Sequence, residues 1–279
     1  MGKYKILPSE HDKIIQQYLS GSTTIELGEQ YGVNSQAIVQ ILHKHNVPIH
    51  YKRKYTLNEN YFDIIDTPNK AYILGFLYAD GYNSLRNHSI ALALQEEDKY
   101  ILDAINNEIG SNRPLEFNER SKKNPNLKNI YRLIISSKHI SNVLNDIGML
   151  QKKSLILTFP TCLDEDLYSH FIRGYFDGDG WICKRKYGEK ISIVSTKEFC
   201  ETIADIFYKY TGVKSHFKVR HKDRDSNTVS LEVYGRKQSL KVLDYIYQDC
   251  TMYLTRKYDI YQTIYKQNNI NDNSLKVAI

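Results

Sequence analysis

Two aspartates carry the chemistry this sequence offers. Asp80 ends the run ILGFLYADG (Ile73–Gly81), and Asp179 ends IRGYFDGDG (Ile172–Gly180). The two runs share the leading Ile, the central Gly and the final Asp-Gly. Each reads as a largely apolar helix that stops at its Asp-Gly. An acid in that place sits at the negative end of the helix macrodipole. Bringing two such ends together sets two carboxylates side by side with no cation near, and they repel unless they share a divalent metal. Hard carboxylate oxygens suit Mg²⁺, with Mn²⁺ as a substitute. Such an ion activates water and screens the charge on a phosphate, which is the chemistry of phosphodiester hydrolysis. One Asp-Gly alone would read as a turn into the next strand. Its recurrence at matching places favours the metal site.

The elements around the acids repeat as well. After Gly81 the pattern gives two short strands, a helix over 99–109, a strand pair (114–122 with 130–136) and a helix over 139–149. After Gly180 it gives two strands, a helix over 197–210, a strand pair (213–222 with 229–234) and a helix over 238–247. Each half reads α-β-β-α-β-β-α, an α+β fold of two pseudo-symmetric halves, residues 62–158 and 159–279. The motif segment AYILGFLYA is apolar nearly all round and should be buried. Gly75 and Gly174 lie mid-helix, where glycine costs about 1 kcal/mol against alanine. Two helices crossing with their backbones close would offset that cost.

On these motifs, AYILGFLYADG and FIRGYFDGDG, the chain from about Phe62 to Tyr265 resembles the single-chain LAGLIDADG endonucleases that carry two motifs. The resemblance implies a monomer with internal pseudo-twofold symmetry, its motif helices forming the interface between the halves. It implies that each half presents a curved four-stranded antiparallel sheet to double-stranded DNA. It implies that the last acid of each motif, Asp80 and Asp179, binds metal and cuts one strand across the minor groove, with the carbonyls of Ala79 and Gly178 as further ligands. It also implies a basic residue beside each active site, to polarise water or stabilise the pentacovalent phosphate. Lys153 in LQKKSL and Lys257 in YLTRKYD fit, with Lys152 and Arg256 as competing assignments. Tyr78 stands where the motif's first acid is common, whereas Asp177 keeps it. That position is not the metal ligand in the family.

Strand periodicity supplies a surface to match. In VKSHFKVRHK (213–222), Lys214, His216, Lys218, Arg220 and Lys222 alternate onto one face, while Val213, Phe217 and Val219 point into the core. The stripe would run about 27 Å. An all-basic face suits phosphates and guanine edges better than mere solubility. In the next strand Leu231 and Val233 read as buried, with Ser230, Glu232 and Tyr234 on the reading face. Lys184, Arg185 and Lys186 follow the second motif. In the first half the candidates are Asn83, Arg86, His88, Arg113, Asn118, Arg120, Lys122 and Arg132. The two faces differ, so a non-palindromic target is expected.

Residues 1–50 read as a separate all-α module. Ser9 would cap a helix to about Leu19, and Ser22 or Thr23 a second through Tyr31. After a turn at Gly32, Asn34 or Ser35 would cap a third to about Lys44. Leu27, Tyr31, Val33, Ile38 and Ile41 have the inward spacing of a helix-turn-helix. The segment resembles the resolvase-type helix-turn-helix family, with Gly28 in place of the usual alanine. The third helix would turn Asn34, Ser35, Gln36, Gln40 and Lys44 toward a major groove. Residues 51–61 read as a basic linker whose Lys52, Arg53 and Lys54 can follow a phosphate backbone.

Composition excludes other classes. The 279 residues are 41% hydrophobic and 25% charged, which rules out wholesale disorder and a disulfide scaffold. No apolar run is long enough for a membrane span, and the start lacks a signal peptide, so a cytoplasmic, DNA-associated protein is expected. The four cysteines form no C-x-x-C pair and are expected as buried free thiols. The net charge of +6 is too modest to name a partner by itself. The expected function is a site-specific, metal-dependent double-strand DNA endonuclease of homing type. Splice-junction residues are missing, so a free-standing or intron-encoded enzyme is expected rather than an intein. The alternatives are a non-catalytic DNA-binding transcriptional regulator and an RNA-binding intron maturase on the same fold.

Overall fold

A computed structural model describes residues 6–49, 54–150, 155–185, 188–219 and 227–277, with side chains to Asn268. The chain forms two compact units that divide between Tyr55 and Thr56.

The smaller unit holds three helices, α1 (His11–Leu19), α2 (Thr24–Gln30) and α3 (Ser35–Lys44). A 3-10 turn, Pro8–Glu10, leads into α1 and contains Ser9, which therefore does not cap that helix. Thr23 caps α2 in a reciprocal box. Its hydroxyl accepts from the Glu26 amide at 3.2 Å, and the Glu26 carboxylate accepts from the Thr23 amide at 2.7 Å. Asn34 caps α3 by accepting from the Ala37 amide at 2.9 Å. Gly32 takes a φ of 62° between the two helices, where a side chain would be strained. A Cβ on Gly28 would stand 2.8 Å from the Val33 carbonyl oxygen, so the tight turn leaves no room even for alanine. Ile14, Tyr18, Leu27, Ile38, Ile41 and Leu42 make the core.

The larger unit repeats one order twice. The first half runs α4 (Pro68–Asp80), β1 (Tyr82–Ser84), β2 (Ser89–Gln95), α5 (Lys99–Glu108), β3 (Glu116–Asn118), β4 (Ile130–Ser136) and α6 (Lys138–Asp146). The second runs α7 (Tyr168–Asp179), β5 (Trp181–Arg185), β6 (Gly188–Thr196), α8 (Lys197–Thr211), β7 (His216–Val219), β8 (Thr228–Tyr234) and α9 (Arg236–Tyr247). A last helix, α10 (Thr255–Val277), has no counterpart among the described residues of the first half. The sheets are four-stranded and antiparallel, in the orders β1-β2-β4-β3 and β5-β6-β8-β7. The expected α-β-β-α-β-β-α order therefore holds in both halves.

The motif helices lie at the centre. Residues 71–78 of α4 and 171–177 of α7 are all buried. A Cβ built on Gly75 would lie 2.0 Å from the Phe171 carbonyl oxygen, and one on Gly174 would lie 2.0 Å from that of Tyr72. The two backbones touch where the glycines sit, reciprocally, as a pseudo-twofold requires. That close approach is the packing that offsets glycine's cost in a helix.

Two edge strands are shorter than the pattern suggested. β3 covers only Glu116–Asn118, and Arg120 and Lys122 lie in a 3-10 turn after it. β7 begins at His216, so Lys214 precedes it. Phe217 and Val219 do point to the side opposite His216 and Lys218, but they are 47% and 54% exposed rather than in the core. An edge strand with no helix over it leaves both of its faces to solvent. Of the free cysteines only Cys200 is buried; Cys162 is exposed and the other two are half-buried. Among the described residues no helix is long and apolar enough to cross a membrane.

Candidate active site

The C-terminal ends of the motif helices meet. A Cβ on Gly178 would fall 2.3 Å from the Ala79 Cβ and 3.2 Å from Asp80 Oδ2. The residue before Asp179 therefore lies against the residue before Asp80, and glycine at 178 is what admits the Ala79 methyl. Thr67 starts α4 by accepting from the Lys70 amide at 3.3 Å, with Pro68 at the first helical position. The two helices thus carry Asp80 and Asp179 to one place.

A cation stands there, as the family resemblance implied, although the two acids read by themselves had none near. Lys257, at the start of α10, is 5% exposed. Its ammonium donates to the carbonyls of Phe176 at 2.5 Å, Asp177 at 2.8 Å and Gly180 at 2.6 Å. An ammonium has three hydrogens, and all three are taken by the end of α7. Burial pushes its pKa down to about 8, against the pull of Asp177 and the smaller pulls of Asp80 and Asp179. Arg256, the competing assignment, donates to Asp98 at 3.2 Å. Lys152 and Lys153 lie outside the described residues.

The motif's earlier acid is structural. Asp177 is buried and accepts from the Tyr72 hydroxyl at 2.9 Å, the Tyr247 hydroxyl at 2.6 Å and the Leu254 amide at 2.7 Å. Burial holds its carboxyl above the ordinary range, against those bonds and Lys257. Beside it Arg173, also buried, donates to the carbonyls of Met252 and Ile246, each at 2.9 Å, and to His170 Nδ1 at 2.8 Å. Burial and Arg173 push His170 down to about 4, so the ring is neutral and can accept. This cluster ties α7 to the segment between α9 and α10, and so to Lys257. In the first half the Tyr78 hydroxyl donates to the Ile147 carbonyl just past α6. Tyrosine there does the tethering that Asp177 does in the second half.

Next to Asp179 a groove of about 570 Å³ runs over the second sheet. Tyr78, Trp181, Lys190, Ser192, Lys218 and Glu232 are among the residues that line it. Register places Trp181, Cys183 and Arg185 on this face, opposite Ser192, Lys190 and Gly188. Lys184 pairs with Glu189 on the opposite face, beside Ile182, and so does not face the groove. Arg185 takes that place, its guanidinium 5.7 Å from the Tyr234 ring centre. His216 and Lys218 face the groove from β7, paired with Glu232 and Ser230. Ser230 and Glu232 are on the expected face but buried, and Lys190 donates to Glu232 at 2.7 Å. Burial alone would raise Glu232; the bonds from Lys190 and Tyr234 outweigh it and hold the carboxyl below its usual range. Lys186, Arg220 and Lys222 lie outside the described residues.

In the first sheet Asn83 is a core residue. It is 2% exposed, donates to the Ser141 carbonyl at 2.8 Å and accepts from the Ser141 hydroxyl at 2.6 Å, so it cannot read a base. Arg132 faces away from the core, paired with Ala93 and Glu116. Arg86 and His88 occupy the exposed turn between β1 and β2. Lys122 pairs with Glu119 at 2.5 Å and Arg113 with Glu116 at 3.1 Å. In the smaller unit Gln36, Gln40 and Lys44 form one exposed row on α3, four residues apart. Lys54 lies 5.3 Å from the Tyr55 ring centre, and Lys52 and Arg53 are outside the described residues. The periodicity overlooked Tyr82 and Trp181. Each is the first residue after an Asp-Gly, and each is exposed.

Among the described residues no three of His, Cys, Asp and Glu gather to hold a metal ion. Two carboxylates at adjoining helix ends are a sparse donor set of hard oxygens. That set fits Mg²⁺, which keeps several waters and takes one or two carboxylates beside substrate phosphates.

Residues 166–247 match the family model of the LAGLIDADG-like domain. The glutamine–fructose-6-phosphate aminotransferase (isomerizing) of Methanocaldococcus jannaschii is 25% identical over 221 residues, in 76% of this chain and 18% of that protein, so the chain spans about a fifth of that relative's length. The meganuclease I-SmaMI bound to uncleaveable DNA is 11% identical, with a TM-score of 0.47 over 75% of this chain and 92% of that one. The homing endonuclease I-WcaI bound to its DNA recognition sequence is 14% identical, with a TM-score of 0.47 over 73% and 91%. Full-length DUF199/WhiA from Thermatoga maritima is 14% identical, with a TM-score of 0.46 over 79% and 72%. Residues 166–247, in the half that carries Asp179, are thus similar to a LAGLIDADG-like domain, and the first half repeats the same motif and sheet order.

Proposed function

We propose that the chain is a site-specific DNA endonuclease that hydrolyses both strands with Mg²⁺, or with Mn²⁺ in its place. The observation that carries this is the meeting of Asp80 and Asp179 at the ends of backbone-contacting helices, with a groove over the sheet beside Asp179. Asp80, Asp179 and the carbonyls of Ala79 and Gly178 would hold the ion, which when bound supplies an activated water and charge screening at the phosphate. Lys257 positions the end of α7 through its three carbonyl bonds, and its hydrogens are then not available to polarise water. Lys190, Lys218, Arg185 and Trp181 would bind the DNA in the groove over the second sheet; Arg132 and Tyr82 would do so in the first half. A plasmid library of random sequence, incubated with Mg²⁺ or with EDTA, tests the reading. Linear products with Mg²⁺ alone support it, and intact supercoiled DNA in both arms refutes it.

A second reading is DNA binding without cleavage, as in a transcriptional regulator. The occupied hydrogens of Lys257 favour it, and the same assay decides, because binding without cutting would appear as retarded but intact DNA.

Lys218→Ala is expected to weaken DNA binding and to lower the slope of log affinity against log salt by about 1, as removal of one phosphate contact does. Arg220→Ala should behave alike. Unchanged affinity and slope in both variants would make the strand a solvated face only.

The smaller unit is proposed as a second DNA reader, with Gln36, Gln40 and Lys44 in a major groove. It has its own core, so deletion of residues 1–55 should leave a folded enzyme that cuts the same bond. Its footprint should shrink on one side, and its affinity should drop by ~10²-fold or more once the tethered reader is gone. Equal affinity and an identical footprint would mean that these helices do not touch the DNA.

A further inference from the structure

A second cavity, of about 460 Å³, lies where β7 begins, β8 ends and α9 starts. Its polar lining is Lys214, His216, Tyr234, Lys237, Gln238 and Lys241. Among the described residues no carboxylate lines it. Lys237 and Lys241 are exposed and stand one turn apart on α9, a like-charged spacing that disfavours the helix by itself. Among the described residues no salt bridge engages Lys214, Lys237 or Lys241. α9 also begins without a side-chain cap, at Gly235 with a φ of 90°. Its first turn borders the cavity and adds the partial positive charge of a helix N-terminus to the lysines. Two of the walls are braced: the Lys214 ammonium lies 5.9 Å from the Tyr208 ring centre, and the His216 and Tyr234 rings meet edge-on at 5.6 Å.

Concentrated positive charge with no internal counter-ion selects an anion. Lysine ammonium groups bind phosphate as point charges and need no forked geometry. The cavity is larger than a single phosphate needs, and it shares His216 and Tyr234 with the sheet face that carries Lys218 and Glu232. We propose that this cavity is a phosphate-binding site, which takes DNA-backbone phosphates beyond the stretch covered by the second sheet. The DNA part of the proposal rests on the reading of that sheet as a DNA surface. A free polyphosphate offers the same chemistry from another source.

The test compares the full chain, the double variant Lys237→Gln/Lys241→Gln and a control, Lys197→Gln, from an exposed lysine on α8. One arm measures affinity for a labelled mixed-sequence 40-base-pair duplex across a salt series. The other measures binding of sodium tripolyphosphate by calorimetry without DNA. The expected result is a weaker affinity and a salt slope lower by about 2 in the double variant, one unit for each lysine taken off a phosphate, with the control unchanged. An unchanged DNA arm, with tripolyphosphate bound by the wild type and not by the double variant, keeps the site and assigns it to a free ligand. Unchanged DNA binding with no difference in tripolyphosphate binding overturns the site. If the wild type binds no DNA, the reading of the sheet falls, and the tripolyphosphate arm alone decides the cavity. Circular dichroism and melting of the variants confirm folding, and both lysines are exposed enough for it to survive.

Discussion

Asp80→Asn and Asp179→Asn are each expected to lower double-strand cleavage by ~10²-fold or more while DNA affinity stays close to wild type. The substitution keeps size and shape and removes the negative charge that would hold a hard cation. An ion's stabilisation of charge at a reacting phosphate is worth several kcal/mol, and each 1.36 kcal/mol is tenfold in rate. Binding should survive because the candidate DNA contacts are side chains of the sheets and of α3, not the two aspartates themselves. EDTA should impose the same loss on the wild type, and added Mg²⁺ should restore the wild type alone. Cleavage is to be followed on a target recovered from the library assay, with gel retardation run in parallel. Wild-type cutting of both strands by either variant would remove that acid from the site.

Part of this site was legible because local rules and global packing agree there. Asp-Gly after an apolar helix is a short pattern, but its repetition with matching elements fixed both acids in one architecture. Gly75 and Gly174 were legible for a related reason: a residue that weakens a helix needs a compensating contact, and the structure supplies backbone at 2.0 Å. Other positions depend on partners distant in the chain. Nothing near Asn83 marks it as a core residue, because the groups that satisfy it come from Ser141. Lys257 was named from the family resemblance, but its tethering of three carbonyls at the end of α7 shows only once that end is folded against it.

Strand parity explains another error. In WICKRK only Ile182 marks the buried side, and counting by twos from it puts Lys184 on that side and Arg185 in the groove. The signal was present but rested on one residue among consecutive bases. At β7 the alternation was strong and its direction correct, yet Phe217 and Val219 remain exposed. Periodicity tells which residues share a face. It does not tell whether that face is covered, and at β7 both faces stay exposed.

Gly75→Ala and Gly174→Ala should each be severely destabilising, and for a reason that no neighbouring side chain can relieve. The added methyl would lie 2.0 Å from a main-chain carbonyl oxygen of the partner helix, so the helices themselves must separate. Overpacking in a closed core costs typically 1–3 kcal/mol, and backbone against backbone belongs at or above the top of that range. At ~2–4 °C per kcal/mol for a unit of this size, melting should fall by ~6–12 °C. Cleavage should fall further than stability, because Asp80 and Asp179 ride on the two helices and ~1 Å of misplacement can cost ~10²-fold. Gly178→Ala makes the contrast. Its methyl would meet the Ala79 methyl at 2.3 Å, a side chain that can be removed. Ala79→Gly in the same molecule should therefore restore much of the lost melting temperature, whereas no single side-chain change should rescue Gly75→Ala. Melting of the Gly178→Ala variant, the Gly178→Ala/Ala79→Gly variant and the Gly75→Ala variant by calorimetry checks the whole arrangement. A Gly75→Ala protein that melts with the wild type would mean that the motif helices do not cross in backbone contact, and the juxtaposition of the two acids would lose its support.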